Sequence, residues 1–174
     1  MNEALSKRLK QESVASPLQE AALSLLLAAN RLNESVDALC GSHGITRPQY
    51  NVLRILRGVY PEGHPRREIA CRMLERAPDV TRLIDRLQAR GLVRRDRAEQ
   101  DQRQSIACIT PRGLKLLETM QPVMDELMTT CFRQLSQHEC QELTRICARI
   151  FACEEAPRPP APARHAVTSS RDDH

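Results

Sequence analysis

Residues 66–113 carry three patterns in a row: two short amphipathic helices separated by a tight break, then two short strands. In the first helix, from Arg66 to Leu74, the apolar residues Ile69, Ala70, Met73 and Leu74 fall on one face. Glu75, Arg76 and Ala77 break it. Pro78 then suits the first turn of a second helix, where the amide hydrogen it lacks has no acceptor. That helix runs from Asp79 to Arg90 and stops at Gly91. Val80, Leu83, Ile84 and Leu87 form its apolar stripe, which leaves Asp79, Arg82 and Arg86 facing solvent. Leu92 to Asp96 reads as a strand and Ser105 to Thr110 as its return, joined by a polar connection, 97–104. A short helix that is basic on its free face, set after a tight turn and before a hairpin, fits a DNA-recognition helix followed by a wing.

Charge is distributed accordingly. The whole chain has a formal net charge of only +4, but residues 47–103 hold fourteen Arg against eight Asp or Glu. The basic excess therefore sits in the segment with the helix-turn-helix pattern, where it can serve contacts to a phosphate backbone. Of the 26 basic residues only Lys7, Lys10 and Lys115 are Lys, a bias that carries little weight by itself.

The 174 residues are 41% hydrophobic, enough for one domain with a core. The first sixteen residues are polar and lack the apolar run of a secretory leader. No stretch approaches the ~20 apolar residues of a membrane span. A cytoplasmic protein without membrane contact is expected, with its seven cysteines reduced. None forms a CxxC pair, so neither a zinc site nor another metal site is expected. Two Tyr, two Phe and no Trp disfavour single-strand binding by base stacking. His43, His64 and His138 have no carboxylate or Cys at a catalytic spacing, and no Gly-rich phosphate loop or nucleophile elbow is present. No enzymatic activity and no cofactor are expected.

Residues 1–15 are polar and unpatterned, and 154–174 contain Pro157, Pro159, Pro160 and Pro162. Both ends are expected to be disordered, leaving a single domain over 16–153. Pro17 opens a long helix ending near Gly41, with Leu18, Ala22, Leu25, Ala29, Leu32, Val36 and Leu39 in a heptad seam. Leu23, Leu26 and Leu27 widen that seam, as suits a helix packed both into its own core and against a partner subunit. Thr46 and Gln49 make a capping box for a helix carrying Tyr50, Val52, Leu53 and Leu56 and ending near Gly58. Residues 61–65 read as a loop. Thr110-Pro111 starts another long helix, to about Leu135, with Pro122 in its middle. Ser136 to Glu139 caps the last helix, whose stripe is Cys140, Leu143, Ile146, Cys147, Ile150 and Phe151. The expected architecture is mostly α with a small β-hairpin wing.

The chain resembles the MarR family of transcriptional regulators from about Leu18 to Phe151. The resemblance is carried by Val80-Thr81-Arg82-Leu83-Ile84-Asp85-Arg86-Leu87, Gly91-Leu92-Val93-Arg94-Arg95, Asp101-Gln102-Arg103 and Ile109-Thr110-Pro111-Arg112-Gly113. Residues 45–53 resemble the family's second helix. The resemblance implies a winged helix-turn-helix lobe over about 45–113, flanked by dimerisation helices over about 17–40 and 111–153. It implies a homodimer reading a pseudo-palindrome in double-stranded DNA. It implies repression in most cases, relieved by a small effector, often an aromatic or heterocyclic acid, or by cysteine oxidation. Pro78, Asp79, Thr81 and Arg82 match positions near the major groove, and Arg86 a phosphate-facing one. Arg103 matches a wing-tip arginine in the minor groove, Asp101 the acid that braces the wing, and Arg97 lies on the same wing. Pro78-Asp79 departs from the small hydroxyl residues more often found there, which leaves the base preference open.

Several of these residues have a plainer reading. Asp79 can accept from a cytosine amino group or simply cap its helix, and capping is favoured. Asp101 is a brace rather than a DNA contact, since a carboxylate repels phosphate. Pro122 is a plain kink before it is a hinge. Asn30, His43, Tyr50 and Arg54 lie near where the family's effector pocket is expected, offering the cation and apolar wall that a carboxylate ligand needs; a core Tyr and a loop His explain them as well. Most of the cysteines sit at core spacings. Cys40, beside Gly41 and near His43, best fits a sensor thiol and carries the redox alternative.

Overall fold

The computed structural model describes residues 3–10, 16–74, 79–97 and 105–152, without the side chains of Ala4, Leu9 and Arg97. The chain divides into two compact units, Met1–Cys131 and Phe132–His174.

The first unit is built around α3 (Arg47–Arg57). Its capping box forms as expected: Gln49 N donates to Thr46 Oγ1 at 3.4 Å and Thr46 N donates to Gln49 Oε1 at 2.9 Å. Val52, Leu53 and Leu56 are fully excluded from water. Around them pack the end of α2 (Pro17–Ser42), α4 (Arg66–Arg72), α5 (Val80–Ala89) and a small antiparallel sheet. Ile69 of α4, Leu87 of α5, and Leu117 and Met120 of α6 (Pro111–Phe132) complete the core. α6 runs unbroken through the exposed Pro122.

The expected hairpin is present as β2 (Val93–Arg97) and β3 (Ser105–Ile109), with Val93 opposite Ile109 and Arg95 opposite Ala107. A third strand, β1 (His64–Pro65), pairs with the other edge of β3, giving the order β1-β3-β2. The loop expected over 61–65 is thus corrected: two of its residues close the sheet. A two-residue strand ending in Pro is too short to show alternation, and a proline at a sheet edge loses no ladder bond. The approach of β1 to β3 depends on Gly63, at φ +82, where an added Cβ would collide with the Ala107 carbonyl and stand 2.5 Å from Cys108 Sγ.

Other expectations shift in detail. Within the segment expected to be a disordered arm, α1 (Glu3–Leu9) forms two turns and buries Leu5. Glu3 in its first turn and Lys7 and Arg8 in its last suit the helix dipole. The first helix of the helix-turn-helix ends at Arg72, so Leu74 is exposed rather than part of a buried stripe. The tail 154–174 lies outside the described residues.

α2 buries only Leu39 and Cys40, whereas Leu18 and Leu25 of its heptad seam are exposed, as is Leu26 beside it. In the second unit, α7 (Gln137–Phe151) carries its own capping box, with Glu139 N donating to Ser136 Oγ at 3.3 Å and Ser136 N to Glu139 Oε2 at 2.8 Å. Ser136 N and, at 2.7 Å, Ser136 Oγ both donate to Glu139 Oε2 and hold that carboxyl below its usual range. Yet α7 buries none of its residues, and Leu143, Ile146, Ile150 and Phe151 are exposed.

Gly63→Ala combines a left-handed backbone with a clash against strand backbone. It is expected to lower the unfolding free energy by about 2–4 kcal/mol in urea titration. A loss below about 0.5 kcal/mol, within the range of an ordinary surface change, would contradict the close approach of β1 and β3.

Candidate nucleic-acid interface

α5 forms because its apolar residues recur at helical spacing and Asp79 stops the chain from extending it upstream. Asp79 is the N-cap, its Oδ1 accepting from Arg82 N at 3.1 Å, so the helix begins at Val80 rather than at Asp79. Val80, Ile84 and Leu87 are buried against α3, α4 and β2. That anchoring turns Arg82, Asp85 and Arg86 outward. The Arg82 side chain is 79% exposed, and its Nε lies 3.0 Å from Asp79 Oδ2. One carboxylate thus both caps the helix and steadies the arginine on its outer face. Arg86, one turn on, is exposed and makes no ion pair among the described residues.

Beside α5 lies a groove of about 380 Å³, lined by Pro65, Arg66, Arg67, Thr81, Ile84, Arg95, Ser105 and Ala107. Three guanidinium groups and two hydroxyls converge on it from α4, α5 and the sheet. Arg95 is held by an ion pair with Asp85. The surface can therefore receive anions of a phosphate backbone while the exposed end of α5 meets base edges. Arg66, Arg67 and Arg95 were not singled out from sequence. Adjacent arginines lie on opposite faces of a strand, and only the pairing of Arg95 with Ala107 says which one joins the groove.

The C-terminal end of α5 is stitched to its surroundings. Gly91, at φ +69, turns the chain, with Gly91 N bonded to Gln88 O at 2.8 Å and Leu92 N to Leu87 O at 3.0 Å. Thr110 Oγ1 donates to Gly91 O at 2.7 Å and accepts from Gly113 N at 3.1 Å. Gly113 has no room for a side chain, since an added Cβ would strike Leu92 O and stand 2.7 Å from Ile109 Cγ1. The Gly-Leu and Thr-x-x-Gly pieces noted in the sequence are thus one structural device, joining the end of α5 to the start of α6.

The sequence profile of the MarR family matches residues 45–105. The chain is similar to a MarR transcription factor from Planctomyces limnophilus, whose crystal structure is 36% identical, covers 79% of this chain and 99% of its own, and superposes with a TM-score of 0.61. The chain belongs to the MarR family. It is a DNA-binding transcriptional regulator with the family's winged helix-turn-helix fold. It also resembles the HTH-type transcriptional repressor IacR of Pseudomonas putida, 27% identical over 70% of this chain and 71% of that protein. The fold is shared by CouR of Rhodococcus jostii RHA1, solved bound to p-coumaroyl-CoA, at 19% identity, TM-score 0.69, 83% of this chain and all of that one.

On this MarR scaffold, Asp79, Thr81, Arg82 and Arg86 are brought together on and beside the outer face of α5. Pro78, Asp101 and Arg103 lie outside the described residues, as does the Arg97 side chain; the Arg97 backbone ends β2 opposite Ser105. The four residues named for an effector pocket are not all gathered. Asn30 lines a cleft of about 590 Å³ with Leu5, Arg8 and Arg31. It sits thirteen positions before His43, roughly 20 Å along a helix axis. His43 caps the C-terminus of α2, its Nδ1 within 3.1 Å of Leu39 O. Tyr50 is buried, and Arg54 lies over its ring at 6.0 Å from the centroid. Burial raises the Tyr50 hydroxyl above its ordinary pKa, opposed by Arg54 and Arg57. Nearby, Arg57 Nη1 donates to Gln121 Oε1 at 3.4 Å, and Gln121 Nε2 to Asp125 Oδ1 at 2.8 Å, joining α3 to α6.

The redox candidate is corrected. Cys40 is fully buried, and that burial, reinforced by Asp37 against Arg47, pushes its thiol up to about 11. A buried neutral thiol is a poor sensor, because the thiolate is the reactive form. Flanking Gly41 and His43 made the position look open, but α3 covers it. Cys71 and Cys131, expected on buried stripes, are exposed instead.

A soluble maleimide applied to the native protein at neutral pH is therefore expected to label Cys71, exposed on α4, well before Cys40, as read by peptide mass spectrometry. Labelling of Cys40 ahead of Cys71 would contradict its burial.

Proposed function

We propose that the chain is a homodimeric repressor that reads a pseudo-palindromic operator with α5 and is released from it by a small aromatic or heterocyclic acid. The carrying observation is the outer face of α5, where Arg82 and Arg86 stand exposed one turn apart beside the basic groove. Arg82 reads or borders bases in the major groove, with Pro78 and Thr81 close by, and Asp79 holds the Arg82 guanidinium ready. Arg86, together with Arg66, Arg67 and Arg95, contacts phosphate. Arg103 enters the minor groove from the wing, on which Arg97 also lies, and Asp101 braces that wing.

The dimer is supported by apolar surface that a lone chain leaves wet. Leu18, Leu25 and Leu26 on α2, and Leu143, Ile146, Ile150 and Phe151 on α7, are exposed; contiguous apolar faces of this kind mark association surfaces. In this reading residues 16–153 act as one regulatory domain, the winged lobe spanning about 45–113 and the dimerisation helices about 17–40 and 111–153. A symmetric dimer presents two copies of α5 to two half-sites. IacR is described as a repressor, which supports that sign of regulation here. Among the described residues no helix is long and apolar enough to cross a membrane, in keeping with a regulator working in the cytoplasm.

For the effector, the Tyr50 ring with the Arg54 guanidinium over it offers an aromatic wall and a cation, and His43 lies one turn beyond Cys40 at the end of α2. Asn30 belongs to the separate cleft. CouR, bound to a coumaroyl thioester in its crystal, supports a ligand with an aromatic acid part.

On a duplex recovered by binding-site selection, Arg82→Ala is expected to cost about 1–3 kcal/mol and to blur preference at particular base pairs. Arg86→Ala should weaken all sequences alike and lower the salt slope by about one. Arg103→Ala should act mainly on sites with A·T-rich flanks. Fluorescence anisotropy across a salt series checks these; unchanged affinity and preference in both Arg82→Ala and Arg103→Ala would contradict the assigned roles.

Calorimetry with a panel of aromatic carboxylates should find micromolar binding that weakens the DNA complex by linkage. Arg54→Gln should abolish that response and leave DNA affinity in place. An Arg54→Gln protein that still binds the acid as tightly would remove Arg54 from the pocket.

A further inference from the structure

The recognition helix is stopped by its own backbone, so one nearby side chain is left for another task. Arg90 is the C-cap of α5 with αR geometry, and the Gly91 turn already satisfies the last carbonyls of the helix. The Arg90 guanidinium reaches across 46 residues of sequence instead. Its Nη1 donates to Gly44 O, and its Nη2 donates to His43 O at 3.4 Å.

Those acceptors sit in the turn that ends α2. His43 is the C-cap, with its N–H bonded to Cys40 O, and Gly44 follows at φ +70. The carbonyls at this end of a 26-residue helix carry the negative pole of its dipole. A guanidinium fits there both as a charge and as a two-pronged donor. Gly44 keeps the space open: an added Cβ would stand 3.3 Å from Arg90 Nη2. α5 packs mainly on α3, α4 and β2. Arg90 therefore bridges from the end of the recognition helix to the turn that ends α2, while Thr110 ties the same end of α5 to α6.

We propose that Arg90, clamped on the His43 and Gly44 carbonyls, is a positioning residue that fixes the recognition helix to the long helix α2 and thereby sets the half-site spacing the regulator accepts. The proposal rests on the dimeric reading above, in which α2 is a dimerisation helix. If α2 holds the two copies together, the angle at which each lobe leaves α2 fixes the separation of the two recognition helices. A rigid clamp selects one spacing. A loosened clamp admits several, each at the cost of affinity for the best. The same turn carries the His43 side chain, so a ligand that moved it would shift the carbonyls that hold Arg90.

The test uses the full-length chain and duplexes carrying two copies of the half-site selected by the wild-type protein. Their centres are placed about 10 base pairs apart, the spacing of one helical turn, and at spacings one base pair longer or shorter. Anisotropy titrations compare wild type, Arg90→Gln, Arg90→Lys and Gly44→Ala, with thermal melts alongside. Arg90→Gln is expected to bind the preferred spacing about tenfold more weakly, as fits the loss of charged hydrogen bonds, and the other spacings with little change. Discrimination between spacings then falls, while the melting temperature stays near wild type. Gly44→Ala should act in the same direction, and Arg90→Lys, with a point charge in place of a fork, should fall between. An Arg90→Gln protein with the wild-type spacing profile overturns the proposal. Equal weakening at every spacing also overturns it, because Arg90 would then be a phosphate contact. If Arg90→Gln does not fold, a folded Arg90→Lys with wild-type discrimination is the contradicting result. A wild-type protein that binds paired half-sites no better than a single one defeats the dimeric reading instead, and is recognised before any variant is compared.

Discussion

Val52, Leu53 and Leu56 on α3 lie against α2, α4, α5 and β3 at once, and every other feature of the lobe takes its position from that contact. Water is absent from these three side chains. Shortening a leucine at such a site costs about 2–5 kcal/mol, a large part of what holds a domain of this size together. The capping box of Thr46 and Gln49 fixes where α3 begins, and so which face it turns inward. α5 inherits its orientation from this arrangement. With Val80, Ile84 and Leu87 committed to the core, Arg82 and Arg86 have only the outside to occupy.

The resulting surface is basic but not uniformly so. Asp79 and Asp85 hold Arg82 and Arg95 in ion pairs on the same face that carries Arg66, Arg67 and Arg86. Exposed pairs of this kind contribute little stability. What they do is orient: an arginine already held by a carboxylate loses less freedom when it meets a base or a phosphate. They also temper the attraction for arbitrary polyanions, which suits a regulator that must prefer one sequence over a genome of competitors.

Much of this was legible in the chain itself because it depends on near neighbours. The stripe of α5, the Asp79 cap, the two capping boxes and the β2–β3 hairpin are set by residues a few positions apart, and the Gly91 and Thr110 to Gly113 pieces marked the family before their hydrogen bonds could be seen. What escaped depends on residues far apart in sequence. β1 is two residues long and exists only because β3 has a free edge beside it. Cys40 looked open from its neighbours Gly41 and His43, and is buried by α3. Asn30 lies within α2 and His43 caps its end, so the two do not share a site. Arg66, Arg67 and Arg95 converge only in three dimensions, and the reach of Arg90 to Gly44 has no local signature at all.

In the proposed dimer, two copies of this helix-turn-helix lobe, held at a fixed separation, read double-stranded DNA. Hydroxyl-radical and methylation-protection footprints on a duplex recovered by selection test it most directly. Two symmetric patches of major-groove protection are expected, centred about one helical turn apart on the same face of the duplex, as for paired recognition helices, with A·T-rich minor groove protected at the flanks. A single unpaired patch, or protection spread evenly along the duplex, would contradict it.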